Sequence, residues 1–206
     1  MSSLVWFQNN LRVKDNYSLS AATADERVIA VYFFDPRQFE KGAFGFHKTG
    51  KFRAKFLIES VKNLKDNLAK LNIELLVFHD SPENILPDLL TTHGITKVYL
   101  QKEWTRDEFN TLGATKSVCG DEVQFLQSYE QLLYHPEDIP FDDFGQIPEV
   151  FTNFRKKCQK YGSIKAEHPV PPAKPDNNKI ANSTSIPSLQ NLGFEDFVID
   201  ERSAYP

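Results

Sequence analysis

Short runs of β-branched and aromatic residues, set apart by helical patterns, constrain this chain more than any other feature. Leu4 to Phe7 and Val28 to Phe34 read as buried strands, and Ile73 to Phe78, Ile95 to Leu100 and Glu122 to Leu126 as further strands. Between Phe46 and Leu71, the residues Phe52, Phe56, Leu57, Val61, Leu64, Leu68 and Leu71 recur at helical spacing, the stripe of a long amphipathic helix with Thr49 as its N-cap. Ser81-Pro82-Glu83-Asn84 is a helix start, a capping hydroxyl with proline at the first helical position, and His93-Gly94 is its stop. A further helix runs from about Thr105 to Val118, weakened by Gly113. Strands separated by helices are joined by crossovers of one hand, so the pattern specifies an α/β fold, a doubly wound open parallel sheet covered on both faces.

After Gln127 the pattern changes. Prolines from Pro136 to Pro206 punctuate mostly irregular sequence, interrupted by one helix over about 150–161. The expected organisation is a parallel α/β domain over 1–128 and a long irregular extension over 129–206, within which Lys174 to Ser188 reads as a flexible surface linker. Hydrophobic residues make up 40% of the 206, enough for a core, and no apolar run reaches the roughly 18–20 residues that a membrane span needs. Met1-Ser2-Ser3 leads straight into a strand without a basic or apolar leader, which gives a cytoplasmic expectation, nuclear or organellar in a eukaryote. Cys119 and Cys158 lie far apart without metal-ligand spacing and read as free thiols. The formal net charge of −4 argues against a domain that holds nucleic acid by itself.

Open parallel sheets bind ligands beyond the carboxyl ends of their strands. None of the strand-end loops carries a GxGxxG, a Walker A or a Gly-x-Ser-x-Gly pattern, and the five histidines show no metal-ligand spacing. A nucleotide-binding enzyme therefore has little support. What stands out is Gln101 to Glu108, where carboxylates follow a strand directly. Two readings of them stand side by side: a glutamate there accepts hydrogen bonds from an aminopyrimidine-type ring, or Asp107 and Glu108 complement a helix N-terminus.

The run L-V-W-F-Q-N-N-L-R-V-K-D-N at 4–16 resembles the opening of the photolyase and cryptochrome family, usually written W-F-R-N-D-L-R-x-x-D-N. F-D-P-R-Q-F at 34–39, G-F-H-K-T-G-K-F-R-A-K-F-L-I-E-S at 45–60, L-Y-H-P-E-D-I-P-F at 133–141 and I-P-E-V-F-T-N-F-R-K at 147–156 are similar to the DASH cryptochrome branch in particular. D-E-R-S-A-Y-P at 200–206 resembles the segment that leads into the family's C-terminal helical domain. The resemblance implies a Rossmann-like antenna domain whose parent binds FAD in that helical domain. Such a parent is a photoreceptor or a lyase that repairs cyclobutane pyrimidine dimers under blue light, typically in single-stranded DNA. By itself this chain is not expected to repair DNA, and it meets DNA only through the parent.

The resemblance further implies methenyltetrahydrofolate as the antenna chromophore. It assigns the pterin contact to Glu108, with Glu103 as second choice, and a further folate contact to Gln146. The expected partners are the folate and the helical FAD domain in cis. Gln8 and Asn10 stand where the family usually has Arg and Asp, and Glu130-Gln131-Leu132 replaces a small, hydroxyl-rich stretch. These departures motivate an alternative, a chromophore-less interaction module that docks on the helical domain or on another protein.

Overall fold

The computed structural model describes residues 2–42 and 44–198, so the 200–206 segment lies outside the described residues. The elements run β1 (Ser2–Phe7), α1 (Tyr17–Ala22), β2 (Arg27–Phe33), α2 (Lys51–Ala69), β3 (Leu75–Phe78), α3 (Pro82–His93), β4 (Ile95–Gln101), α4 (Arg106–Cys119), β5 (Gln124–Ser128) and α5 (Phe151–Tyr161). The sheet order is β3-β2-β1-β4-β5 and all four pairings are parallel. This is the doubly wound α/β sheet that the strand and helix pattern specifies.

Alternation along the central strands divides the core into two layers. Val5, Phe7, Val28, Ala30 and Tyr32 face α1 and α2, where Leu19, Leu57, Val61, Leu64 and Leu68 meet them. Leu4, Trp6, Ile29, Val31 and Phe33 face α3 and α4, packed against Leu86, Leu89, Leu90 and Leu112. Each fully buried aliphatic or aromatic side chain contributes about 1.5–3 kcal/mol, so both layers are needed to hold the sheet.

Several local expectations are corrected. Phe52 and Phe56 do not share the stripe of α2; they are 68% and 65% exposed. At about 100° per residue, Phe56 lies about 100° from Leu57, off the face that Leu57, Val61, Leu64 and Leu68 bury. Gly50 rather than Thr49 is the N-cap of α2, because the helix starts at Lys51 and its first turn closes from Ala54 N to Gly50 O at 3.0 Å. Ser81 occupies the N-cap position of α3 without a side-chain bond; Asp80 Oδ1 takes the Ser81 N–H at 2.7 Å and Asn84 Nδ2 at 2.8 Å. Gly94 does end α3, in the left-handed conformation at φ 59° that glycine adopts without strain. β5 begins two residues later than expected, at Gln124, a shift that keeps its side chains on the same faces. One short helix, α1, escaped the pattern; the Asn16 side chain caps it, Oδ1 accepting from Leu19 N at 2.8 Å.

The largest correction concerns Lys174 to Ser188, which is not a free linker but a strap along one edge of the sheet. Asn178 is buried, and its amide pairs with β2 as a neighbouring strand would: Val28 N donates to Oδ1 at 2.9 Å, and Nδ2 donates to Val28 O at 3.0 Å and Asn72 O at 2.8 Å. Further on, Asn182 Nδ2 donates to Leu75 O at 2.9 Å and Val77 N donates to Thr184 Oγ1 at 2.9 Å. Lys174 anchors the start, its N–H on Leu71 O and its Nζ on Asp25 O. An exposed edge strand invites pairing with other chains, and here polar side chains take up the groups that β3 would otherwise offer.

Candidate functional site

The strand order reverses between β1 and β4, and the loops that leave the carboxyl ends on either side of that point diverge. They enclose a cavity of about 570 Å³, within the range of roughly 300–1,000 Å³ usual for small-molecule sites. Gln8 comes from the loop after β1, Tyr32 from the end of β2, Lys48 and Arg53 from around the start of α2, and Asp107 and Glu108 from the first turn of α4.

One wall is fixed by Arg37. Asp35, nearly fully buried, accepts Arg37 N at 3.0 Å and Arg37 Nε at 2.9 Å, while Glu83 in the first turn of α3 takes Nη1 at 2.7 Å and Nη2 at 3.0 Å. The hydrogen bond to Asp35 above all, and then the one to Glu83, raises the guanidinium's hold on its proton beyond its already high ordinary value. At the rim, Lys48 Nζ donates to Asp107 Oδ2 at 2.7 Å and ties the loop before α2 to α4. That hydrogen bond holds the Asp107 carboxyl below its ordinary 3.8. A depressed acid keeps its contribution above the ordinary value and loses it as pH falls through the lowered one, so the tie stays intact at neutral pH.

Tyr32 is buried at the cavity wall. Burial pushes its phenol up to about 12 from 10.0, with Arg53 pulling the other way. The folded chain thus keeps a proton that the unfolded chain releases, and the associated stability is whole below pH 10 and lost as pH rises towards 12. Between those limits the protein is expected to lose about 2 kcal/mol relative to Tyr32→Phe in urea unfolding. Parallel pH profiles for the two proteins would show that the phenol is not shielded.

Glu108 and Gln8 differ from their neighbours in having nothing to satisfy them. Glu108 Oε2 and Gln8 Oε1 are both enclosed and meet no hydrogen-bond partner among the described residues. The two readings of the acidic pair at the start of α4 divide between its members: Asp107 turns to Lys48, and Glu108 lines the cavity. Glu103 lies outside that lining, its carboxylate taking amide donors from Asn9 at 2.9 Å, Gln101 at 2.8 Å and Gln131. Gln146 is exposed, its amide bonded to Asp142 N at 3.2 Å and Asp143 Oδ2 at 3.1 Å. The structure therefore does not bring Glu103, Glu108 and Gln146 together. Tyr32, Lys48 and Arg53 are cavity residues that the sequence did not single out; alternation along β2, which turns Tyr32 and Phe34 to one side, was the signal for the first.

Against known proteins, the family model described as DNA photolyase matches residues 3–176. The chain belongs to the DNA photolyase family. Cryptochrome DASH of Gloeobacter violaceus is 39% identical over 97% of this chain and 40% of its own length. A Synechocystis cryptochrome crystal structure superposes with a TM-score of 0.84 at 31% identity, over 98% of this chain and 42% of that one. The archaeal photolyase from Sulfolobus tokodaii, whose structure contains two FAD molecules and implies a novel light-harvesting cofactor, shares the fold with a TM-score of 0.70 at 22% identity, over 93% of this chain and 41% of that one. This photolyase-family domain spans about 40% of the length of the curated relatives it matches.

Two of the domain's departures from the family pattern prove to be one interaction. Buried Asn10 donates from Nδ2 to Glu130 Oε2 at 3.2 Å, and Glu130 Oε1 accepts from Ser18 N at 2.8 Å and from the Ser18 and Ser128 hydroxyls. An aspartate at position 10 would set two carboxylates against each other there, whereas an amide supplies the donor that Glu130 needs. Among the described residues of this photolyase-family domain, no helix is long and apolar enough to cross a membrane, and no group of acidic, histidine and cysteine side chains could hold a metal.

Proposed function

We propose that this domain binds a light-harvesting pteridine, methenyltetrahydrofolate, in the strand-end cavity of a cryptochrome DASH or photolyase. The observation that carries the reading is the enclosed, unpartnered oxygen of Glu108 in a cavity of suitable size. A 2-amino-4-oxopteridine presents a ring N–H beside an amino group, and an ionised carboxylate is the natural acceptor for that pair. Position in the first turn of α4 favours the negative charge on Glu108. When bound, the pteridine absorbs near-ultraviolet and blue light and hands the excitation on, chemistry that asks no proton or hydride from the protein. The chain's residues then have only to bind, orient and exclude water. The light-harvesting cofactor implied for the Sulfolobus tokodaii relative is in keeping with this role.

We further propose that the acceptor is FAD in the helical domain of a full-length protein, and that repair of pyrimidine dimers in single-stranded DNA belongs to that protein. The test is a titration of the chain with methenyltetrahydrofolate, followed by pterin absorbance and fluorescence. Glu108→Ala is expected to weaken binding about tenfold or more, as loss of a charged hydrogen-bond partner does. A loss confined to Gln146→Ala or Glu103→Ala would move the ligand to the loops outside the cavity. Binding only by a full-length protein would make the site one shared with the helical domain, whereas no binding by either would favour the docking module instead, a reading that the exposed Phe109, Phe144 and Phe151 support.

A further inference from the structure

Among the described residues, four enclosed side-chain polar atoms lack a hydrogen-bond partner, and two of them, Gln8 Oε1 and Glu108 Oε2, belong to residues that line the same cavity. Native structures leave few such groups, and a pair sharing one cavity calls for a ligand that satisfies both. Both atoms are acceptors, so that ligand has to bring donors. Of the cations in the lining, Arg37 is committed to Asp35 and Glu83 and Lys48 to Asp107, while Arg53 makes no ion pair among the described residues. Position 8 itself carries a neutral amide, which brings an acceptor and no cation to the cavity. We propose that Gln8 is a specificity-determining residue of this site, reading a ring-bound amino group jointly with Glu108.

The inference rests on the cavity being the pteridine site and deepens that reading. An amino group on a ring carries two N–H donors. One of them, with the neighbouring ring N–H, suits the carboxylate of Glu108, which leaves the other for Gln8 Oε1. A ring with a carbonyl in place of the amino group loses both amino donors and gains one ring N–H, which leaves Gln8 and Glu108 one donor short. Sites built to hydrogen-bond a group discriminate strongly against analogues that lack it, because their own polar atoms are then left unpaired.

Pterin and lumazine test this directly, since one has an amino group at ring position 2 and the other an oxo group with a proton on the adjacent N1. Titrated into the 206-residue chain, pterin is expected to bind at least about thirtyfold more tightly than lumazine. Gln8→Leu is expected to weaken pterin about tenfold while leaving lumazine within about threefold, narrowing the ratio. Its thermal midpoint should match that of the unaltered chain, because Gln8 Oε1 has no internal bond to lose. An unchanged pterin-to-lumazine ratio in Gln8→Leu would overturn the role of Gln8 and leave the Glu108 site standing. Equal affinities in the unaltered chain, or binding of neither ring by it or by a full-length protein, would overturn the pteridine reading and the role of Gln8 together.

Discussion

Asn178→Ala is expected to destabilise the domain by about 4 kcal/mol, the largest cost of any alanine substitution outside the apolar core. The side chain is 2% exposed and carries three hydrogen bonds, to Val28 N, Val28 O and Asn72 O. Alanine removes all three and leaves one backbone donor and two carbonyls without partners. Buried groups abandoned in this way cost about 1–3 kcal/mol each, less where water reaches them. Asn178→Asp keeps the acceptor for Val28 N but turns a carboxylate oxygen on the Val28 and Asn72 carbonyls, and should cost at least as much as alanine. Urea unfolding at constant slope is the measurement; a cost below about 1 kcal/mol for the alanine variant would mean that the strap merely rests on the sheet.

Asp35→Ala is expected to cost about 3 kcal/mol and to weaken any ligand held in the cavity. Asp35 caps its own turn through Arg37 N and pairs with the Arg37 guanidinium, so alanine loses a cap and a buried carboxylate partner at once. The cost stays at the lower end of that for broken buried pairs, because the Arg37 side chain is 42% exposed and keeps Glu83. Converting Arg37 to Met in the same chain should add less than Arg37→Met costs alone, because its pair with Asp35 is already gone and only that with Glu83 remains to be lost. Unfolding midpoints of the single and double variants give the coupling; simple additivity would show that Arg37 and Asp35 do not act as a unit.

The architecture was legible because the central strands are covered on both faces. Val28 to Phe33 is apolar but for the Tyr32 hydroxyl, and its neighbours alternate with helices as the crossovers of a parallel sheet require. What escaped was short or polar. α1 spans six residues, too few for a helical period to emerge, although Asn16 held a capping signal. The strap has the composition of a linker because asparagine and threonine are used there as substitutes for backbone, and nothing local distinguishes an amide facing solvent from one facing Val28. Glu108 stood out as a carboxylate just after a strand, but Tyr32 and Arg53 join it only through the β2-β1-β4 order, which no local pattern reveals. Asn10 and Glu130 were each noticed as departures, yet they lie 120 residues apart and only the fold discloses that they meet.

The strap also bears on how the chain is made. Val28 leaves the ribosome long before its partner Asn178, which follows 150 residues later. At roughly 5–20 residues per second, β2 waits roughly 8–30 s with that edge unpaired. During this interval the nascent sheet has its hydrophobic layers but an open flank, and a chaperone able to shelter a strand edge would have its window of action there. The length of that interval is set by the rate at which the 150 residues between Val28 and Asn178 are made.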